Sequence, residues 1–142
     1  MSVLVYTDGS AQPSNPGWAG SGVVVQYPTG QTFDFYRSLG WQTNNVAELS
    51  AIAFALDILE PAVPKEYSVI MHTDSQYSID VITGAKKARK NVELIAALQA
   101  AVKRWPNLKF QWVKGHNGDP LNEKADALAN QGSTESQKIG QK

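Results

Sequence analysis

Two short segments share an ending. "VLVYTDGS" (3–10) leads Val3, Leu4, Val5 and Tyr6 into Thr7 and Asp8, and "SVIMHTDSQ" (68–76) leads Val69, Ile70 and Met71 into Thr73 and Asp74. Both runs are strand formers. Two carboxylates held side by side repel, and a cation between them removes that cost. A hard divalent ion takes oxygen ligands, so the companions to seek are further carboxylates rather than His or Cys clusters. Glu48 borders the apolar stripe of one helical pattern, and Asp126 lies between Ala125 and Leu128 at the edge of another. Each acid also has a plain reading: a mid-helix acid is an ordinary surface residue, and Asp74-Ser75 can begin a helix.

The elements around these acids follow from pattern. Residues 3–8 read as a strand, and "GSAQPSNPG" (9–17) as a turn-rich loop. Strands follow at 19–27 and 31–40, the latter half exposed, and the short connections imply an antiparallel meander. Thr43 or Asn44 can cap a helix over 45–59, whose apolar positions Val46, Leu49, Ile52, Ala53, Leu56 and Leu59 keep helical spacing. Pro61 and Pro64 are expected to end it. A fourth strand covers 67–73. Ser75 to Thr83 is a short helix stopped by Gly84, and residues 91–104 are another helix. Residues 108–113 are a fifth strand, and Asp119 caps a last helix that starts at Pro120 and runs to about Asn130. The polar tail 132–142 shows no packing face and is expected to fray, leaving 1–131 as one domain. The order is α/β. A strand–helix–strand connection demands a right-handed crossover and parallel pairing. If the first and fourth strands are parallel neighbours, Asp8 meets Asp74 where open α/β sheets bind ligands.

Composition narrows the class. The chain has 142 residues and no cysteine, which excludes disulfides and thiolate metal sites and fits a reducing, cytoplasmic setting. No stretch approaches a membrane span, and the first residues lack a signal pattern. Net charge is zero, yet charge is unevenly placed. From Lys86 to Lys114, eight basic residues against the single acid Glu93 leave +7, so the rest carries −7. One basic segment could bind an anionic polymer, or be a solvated surface.

"YTDGS" with "NPG", "TNNVAELSA", "HTDSQY" and "WVKGHNGDPLNEKADALA" together resemble the type 1 ribonuclease H family, in the family's order and across residues 3–129. The resemblance implies a five-stranded mixed sheet flanked by helices, in agreement with the order read above. It also implies hydrolysis of the RNA strand of RNA–DNA hybrids, with 5′-phosphate and 3′-hydroxyl products. Asp8, Glu48, Asp74 and Asp126 match the family's four metal-binding acids, which hold two Mg²⁺ ions, with Mn²⁺ as a substitute. His116 matches a loop histidine that assists proton transfer or product release, whereas His72 reads as structural. Asn15, Asn44, Asn45 and Gln76 match positions that contact the hybrid's minor groove, and Thr43 one that grips a DNA-strand phosphate. Amides suit this work because each offers donor and acceptor.

One departure stands out. Relatives with a basic, Trp-rich protrusion carry it where this chain has only "TGAKKARKN" (83–91). Lys86, Lys87, Arg89 and Lys90 are expected to replace it in part, with weaker hybrid binding as the result. No separate hybrid-binding domain is expected ahead of residue 1, and a monomer without a protein partner is expected. The competing readings are another nuclease of the same fold and a catalytically silent hybrid-binding module. Four intact acids speak against the second.

Overall fold

The computed structural model describes residues 1–115 and 117–141. The elements are β1 (Ser2–Gln12), β2 (Gly17–Gln26), β3 (Thr32–Gln42), α1 (Asn44–Ala62), β4 (Ser68–Thr73), α2 (Gln76–Thr83), α3 (Val92–Lys103), β5 (Leu108–Trp112) and α4 (Pro120–Gly140). The strands form one sheet in the order β3-β2-β1-β4-β5. β1–β2 and β2–β3 are antiparallel, and β1–β4 and β4–β5 are parallel. The expected mixed sheet is found, including the parallel β1–β4 pair on which the meeting of the two acids depends.

Alternation along the strands sorts the side chains into two cores. Val3, Val5, Val23, Val25, Val69 and Met71 face Leu49, Ile52, Ile95 and Leu98 in a fully buried cluster with α1 and α3. Tyr6 and Val24 point the other way, against Ala125 of α4, with Leu121 and Leu128 at the margin. Helices therefore cover both faces, as a sheet with parallel strands requires. β3 is one of the sheet's two edges, opposite β5: Phe33 is 41% exposed, and Arg37 lies over the Phe54 ring at 4.1 Å.

Three expectations are corrected. β1 does not stop at Asp8. It continues to Gln12, paired with Trp18 of β2, so much of the stretch read as a loop is hairpin. α1 runs through Pro61 to Ala62 rather than ending near residue 59. Pro61 removes one bond to the carbonyl of Asp57, an exposed residue, and Pro64 lies beyond the end of the helix. The largest difference is α4, which extends to Gly140 instead of fraying after Asn130. Its second half packs through small residues, Gly132, Ser133 and Ser136, all buried on β2 and β3. A Cβ on Gly20 would lie 2.3 Å from the Ser133 nitrogen, and one on Gly132 2.4 Å from the Arg37 carbonyl oxygen. This close contact needs no large apolar side chain, which is why the tail looked faceless.

Candidate active site

The last parallel pair between β1 and β4 is Tyr6 with His72, whose rings stack at 4.1 Å and 5°. Asp8 follows two residues on within β1, and Asp74 two residues on from His72, just past the end of β4, so the two acids leave the paired strands side by side. β4 ends at Thr73, whose Oγ1 accepts from the Ser75 N–H at 3.1 Å. Ser75 then caps α2. The threonine before the acid thus turns the chain out of the sheet and leaves Asp74 at the bend. His72 has the structural place expected of it: Nδ1 is 3.0 Å from the Val5 carbonyl oxygen.

Glu48 arrives from the other layer. Thr43 caps α1 through its Oγ1, which accepts from Val46 N–H at 3.2 Å. One turn on, α1 lies so close to β1 that a Cβ on Gly9 would sit 2.3 Å from the Glu48 nitrogen. The glycine after Asp8 therefore sets how near α1 can come. Its N–H donates to Asp8 Oδ1 at 2.9 Å and to Glu48 Oε1 at 2.6 Å, tying the two carboxylates to one donor. Gly9 carries a role that the sequence reading missed; its signal was its place beside the acid.

Asp8, Glu48 and Asp74 each present an oxygen, and the three oxygens lie within 4.8 Å of one another. Asp8 and Glu48 are 5% and 6% exposed. Burial, then the charges of Asp74 and Asp126, push the Asp8 carboxyl up to about 8. Burial, then Asp8 and Asp74, hold Glu48 well above the ordinary carboxylate range. Asp126, in the first half of α4, adds to the rise at Asp8. Asp74 Oδ1 is buried without a hydrogen-bond partner among the described residues. An orphaned oxygen amid mutually repelling acids, with an all-oxygen donor set, fits a hard divalent cation. Three of the four acids picked out in the sequence thus converge, and Asp126 lies outside that group, near enough to Asp8 to raise its carboxyl.

β5 supplies contacts that the sequence reading did not anticipate. Trp112 Nε1 donates to the Asp74 carbonyl oxygen at 3.2 Å. Gly115 approaches the Asp74 carboxylate so closely that a Cβ would be 2.7 Å from Oδ2. The expectation for His116 lies outside the described residues.

A groove of about 450 Å³ opens between the starts of α1 and α2 and the loop ahead of α3. Asn15, Thr43 and Asn45 line one part, and Lys86, Lys87, Arg89 and Lys90 another, so the structure joins two sets that are distant in sequence. Tyr77 and Asn91 complete it, with Asn91 Nδ2 donating to the Tyr77 hydroxyl at 3.3 Å. Asn44 is tied in through its backbone N–H, which donates to Asn15 Oδ1 at 2.8 Å. Gln76 is not part of the lining: its Nε2 donates to Asp80 Oδ1 at 2.9 Å. The ammonium of Lys86 also leans on Asp80, at 3.6 Å.

Comparison with known proteins agrees with this arrangement. A family model described as RNase H matches residues 1–134. The Ribonuclease H of Alcanivorax borkumensis is 38% identical over 146 residues, covering 94% of this chain and 92% of that protein. That of Bordetella avium is 39% identical, covering 92% and 89%. Among solved structures, the N-terminal RNase H domain of a Mycobacterium tuberculosis protein superposes with a TM-score of 0.84 at 26% identity, covering 98% of each chain. LC11-RNase H1, solved in complex with an RNA/DNA hybrid, gives 0.82 at 30% identity, covering 95% of this chain and 99% of that one. With the match running through every strand and the acid cluster at its centre, the chain belongs to the ribonuclease H family and is an enzyme of that family.

Proposed function

We propose that this protein hydrolyses the RNA strand of RNA–DNA hybrids, leaving 5′-phosphate and 3′-hydroxyl ends, with two divalent ions held by Asp8, Glu48, Asp74 and Asp126. The observation that carries the reading is the convergence of three carboxylate oxygens within 4.8 Å where β1 and β4 part. Bound there, Mg²⁺ or Mn²⁺ supplies a more acidic water and positive charge for the phosphoryl and leaving oxygens. The chain's own work is to hold the oxygens in place. Asp8, beside both Asp74 and Asp126, would help to hold both ions. Glu48 and Asp74 serve the side of the attacking water, and Asp126 serves the leaving side. His116 moves a proton or aids product release.

The groove is read as the track for the hybrid. Asn15, Asn44, Asn45 and Gln76 face its minor groove, where amides can tell a 2′-hydroxyl from a deoxyribose. Gln76 would first have to leave Asp80. Thr43 holds a DNA phosphate at the start of α1, where backbone N–H groups favour anions. Lys86, Lys87, Arg89 and Lys90 add phosphate contacts that raise affinity without reading sequence. The solved hybrid complex of LC11-RNase H1 supports this substrate class.

The test is cleavage of a labelled hybrid with Mg²⁺, Mn²⁺ or EDTA, beside RNA–RNA and DNA–DNA duplexes. Metal-dependent cutting of the RNA strand of the hybrid alone is expected, with ends that ligate without prior phosphorylation. Cutting in EDTA, or of DNA–DNA equally well, would sink the reading.

A further inference from the structure

We propose that Trp112 is a positioning residue for Asp74, holding the backbone from which that carboxylate is aimed. The inference rests on the reading of Asp74 as a metal-holding residue. Asp74 sits outside any regular element, at the bend between β4 and α2. Its Oδ1 is buried without a hydrogen-bond partner among the described residues, so side-chain bonding does not fix that oxygen. The backbone at the bend therefore helps to set its aim.

The neighbours on each side are held: Val113 N–H donates to the Thr73 carbonyl at 2.9 Å, and Ser75 N–H to Thr73 Oγ1 at 3.1 Å. The carbonyl of Asp74 itself is held by the indole of Trp112, at 3.2 Å. Trp112 is the last residue of β5 and pairs with Thr73, so the ring starts one residue away from the bend it fastens. It stays 46% exposed. A ring left nearly half exposed that spends its single donor on this carbonyl is placed for that bond. Three residues later the chain returns to the same acid, with Gly115 against Asp74 Oδ2. The exit of β5 thus meets Asp74 at its carbonyl and again at its carboxylate. Partners that orient metal-holding groups commonly change ion affinity about 10- to 100-fold when removed. An exposed bond such as this belongs at the lower end.

The test uses the full chain and Mn²⁺ alone, with free ion counted by electron paramagnetic resonance. Trp112→Phe keeps an aromatic ring and loses the N–H. A second variant places β-(3-benzothienyl)alanine at 112, which exchanges N–H for sulfur in a ring of the same shape. Both are expected to bind Mn²⁺ about tenfold more weakly, with Tm in EDTA close to that of the parent. In cleavage assays kcat falls at limiting metal and recovers with excess Mn²⁺, while KM for the hybrid stays unchanged. Asp74→Asn is the reference for a lost site. If the parent binds Mn²⁺, Asp74→Asn does not, and both Trp112 variants bind like the parent, the positioning role is wrong and the site stands. If the parent and Asp74→Asn bind alike, the reading of the site falls and the inference with it.

Discussion

The Asp8 carboxyl keeps its proton up to about pH 8, because burial and the neighbouring Asp74 disfavour its charge. In the unfolded chain it ionises near the ordinary carboxylate value of 3.8. The folded pKa is raised, so its contribution to stability is fully present below the unfolded value and is lost as pH rises toward about 8. Metal-free protein should therefore weaken over that window. Asp8→Asn should flatten the profile and stabilise the metal-free protein by roughly 1–3 kcal/mol near neutral pH, while cleavage is lost. Urea unfolding in EDTA at about pH 5 and about pH 8 measures this; parallel profiles for both proteins would count against the repulsion described here. Asp8 and Asp74 were legible because each follows a threonine after an apolar strand run, whereas Glu48 and Asp126, ordinary by position, stood out through the family resemblance. Gly9, Trp112 and Gly115 were not, because a glycine's closeness to another backbone and an indole's reach appear only once chains are packed. Glycine has no Cβ to signal the contact it permits.

At the scale of elements, α4 depends on contacts that hydrophobic pattern does not register. Ser136 Oγ donates to the Ala19 carbonyl at 2.5 Å and accepts the N–H groups of Leu39 and Gly40, each at 3.0 Å. One buried hydroxyl thus satisfies three backbone groups where β2 and β3 are irregular around Ala19 and Gly20. Ser136→Ala should cost about 2–4 kcal/mol, since it strands those groups rather than removing one neutral bond. Chemical denaturation reads this directly, and a loss below about 0.5 kcal/mol would mean that water takes over. Gly9→Ala acts at another joint. Its Cβ would meet the backbone of α1, which has no flexible tip to move aside. It should cost about 1–3 kcal/mol or more and shift Glu48, so cleavage should fall further than stability does. Strand order was readable because alternation and short connections leave few topologies. The end of α4 was not, because Gly, Ser and Ala pack by closeness rather than by apolar area, and only area shows as periodicity.

Across the whole molecule, the +7 segment from Lys86 to Lys114 is not one patch. Lys86, Lys87, Arg89 and Lys90 line the groove with Asn15 and Thr43. Arg104 instead pairs with Glu60, which also holds Lys65 at 3.0 Å, and Lys65 lies over the Trp105 ring at 4.6 Å. Folding thus concentrates part of the basic segment along the groove and spends another part on structure. The loop that carries the four groove cations is fastened at both ends. Lys86 N–H donates to the Asp80 carbonyl at 3.0 Å, and Asn91 bonds the Tyr77 hydroxyl. Anchored cations facing a polyanion should show as counterion release, with each phosphate contact adding about 0.7–0.9 to the salt slope. Replacing Lys87, Arg89 and Lys90 together by Gln should lower the slope of log K against log salt by about 2–3. The loss should be similar for hybrids of any sequence, because phosphate contacts carry no base readout. Lys103→Gln, on α3 and outside the groove lining, removes charge without touching the track and serves as the control. Its per-charge effect on the slope should be far smaller. Equal effects per charge would mean that net charge attracts the hybrid and that the groove does not place it.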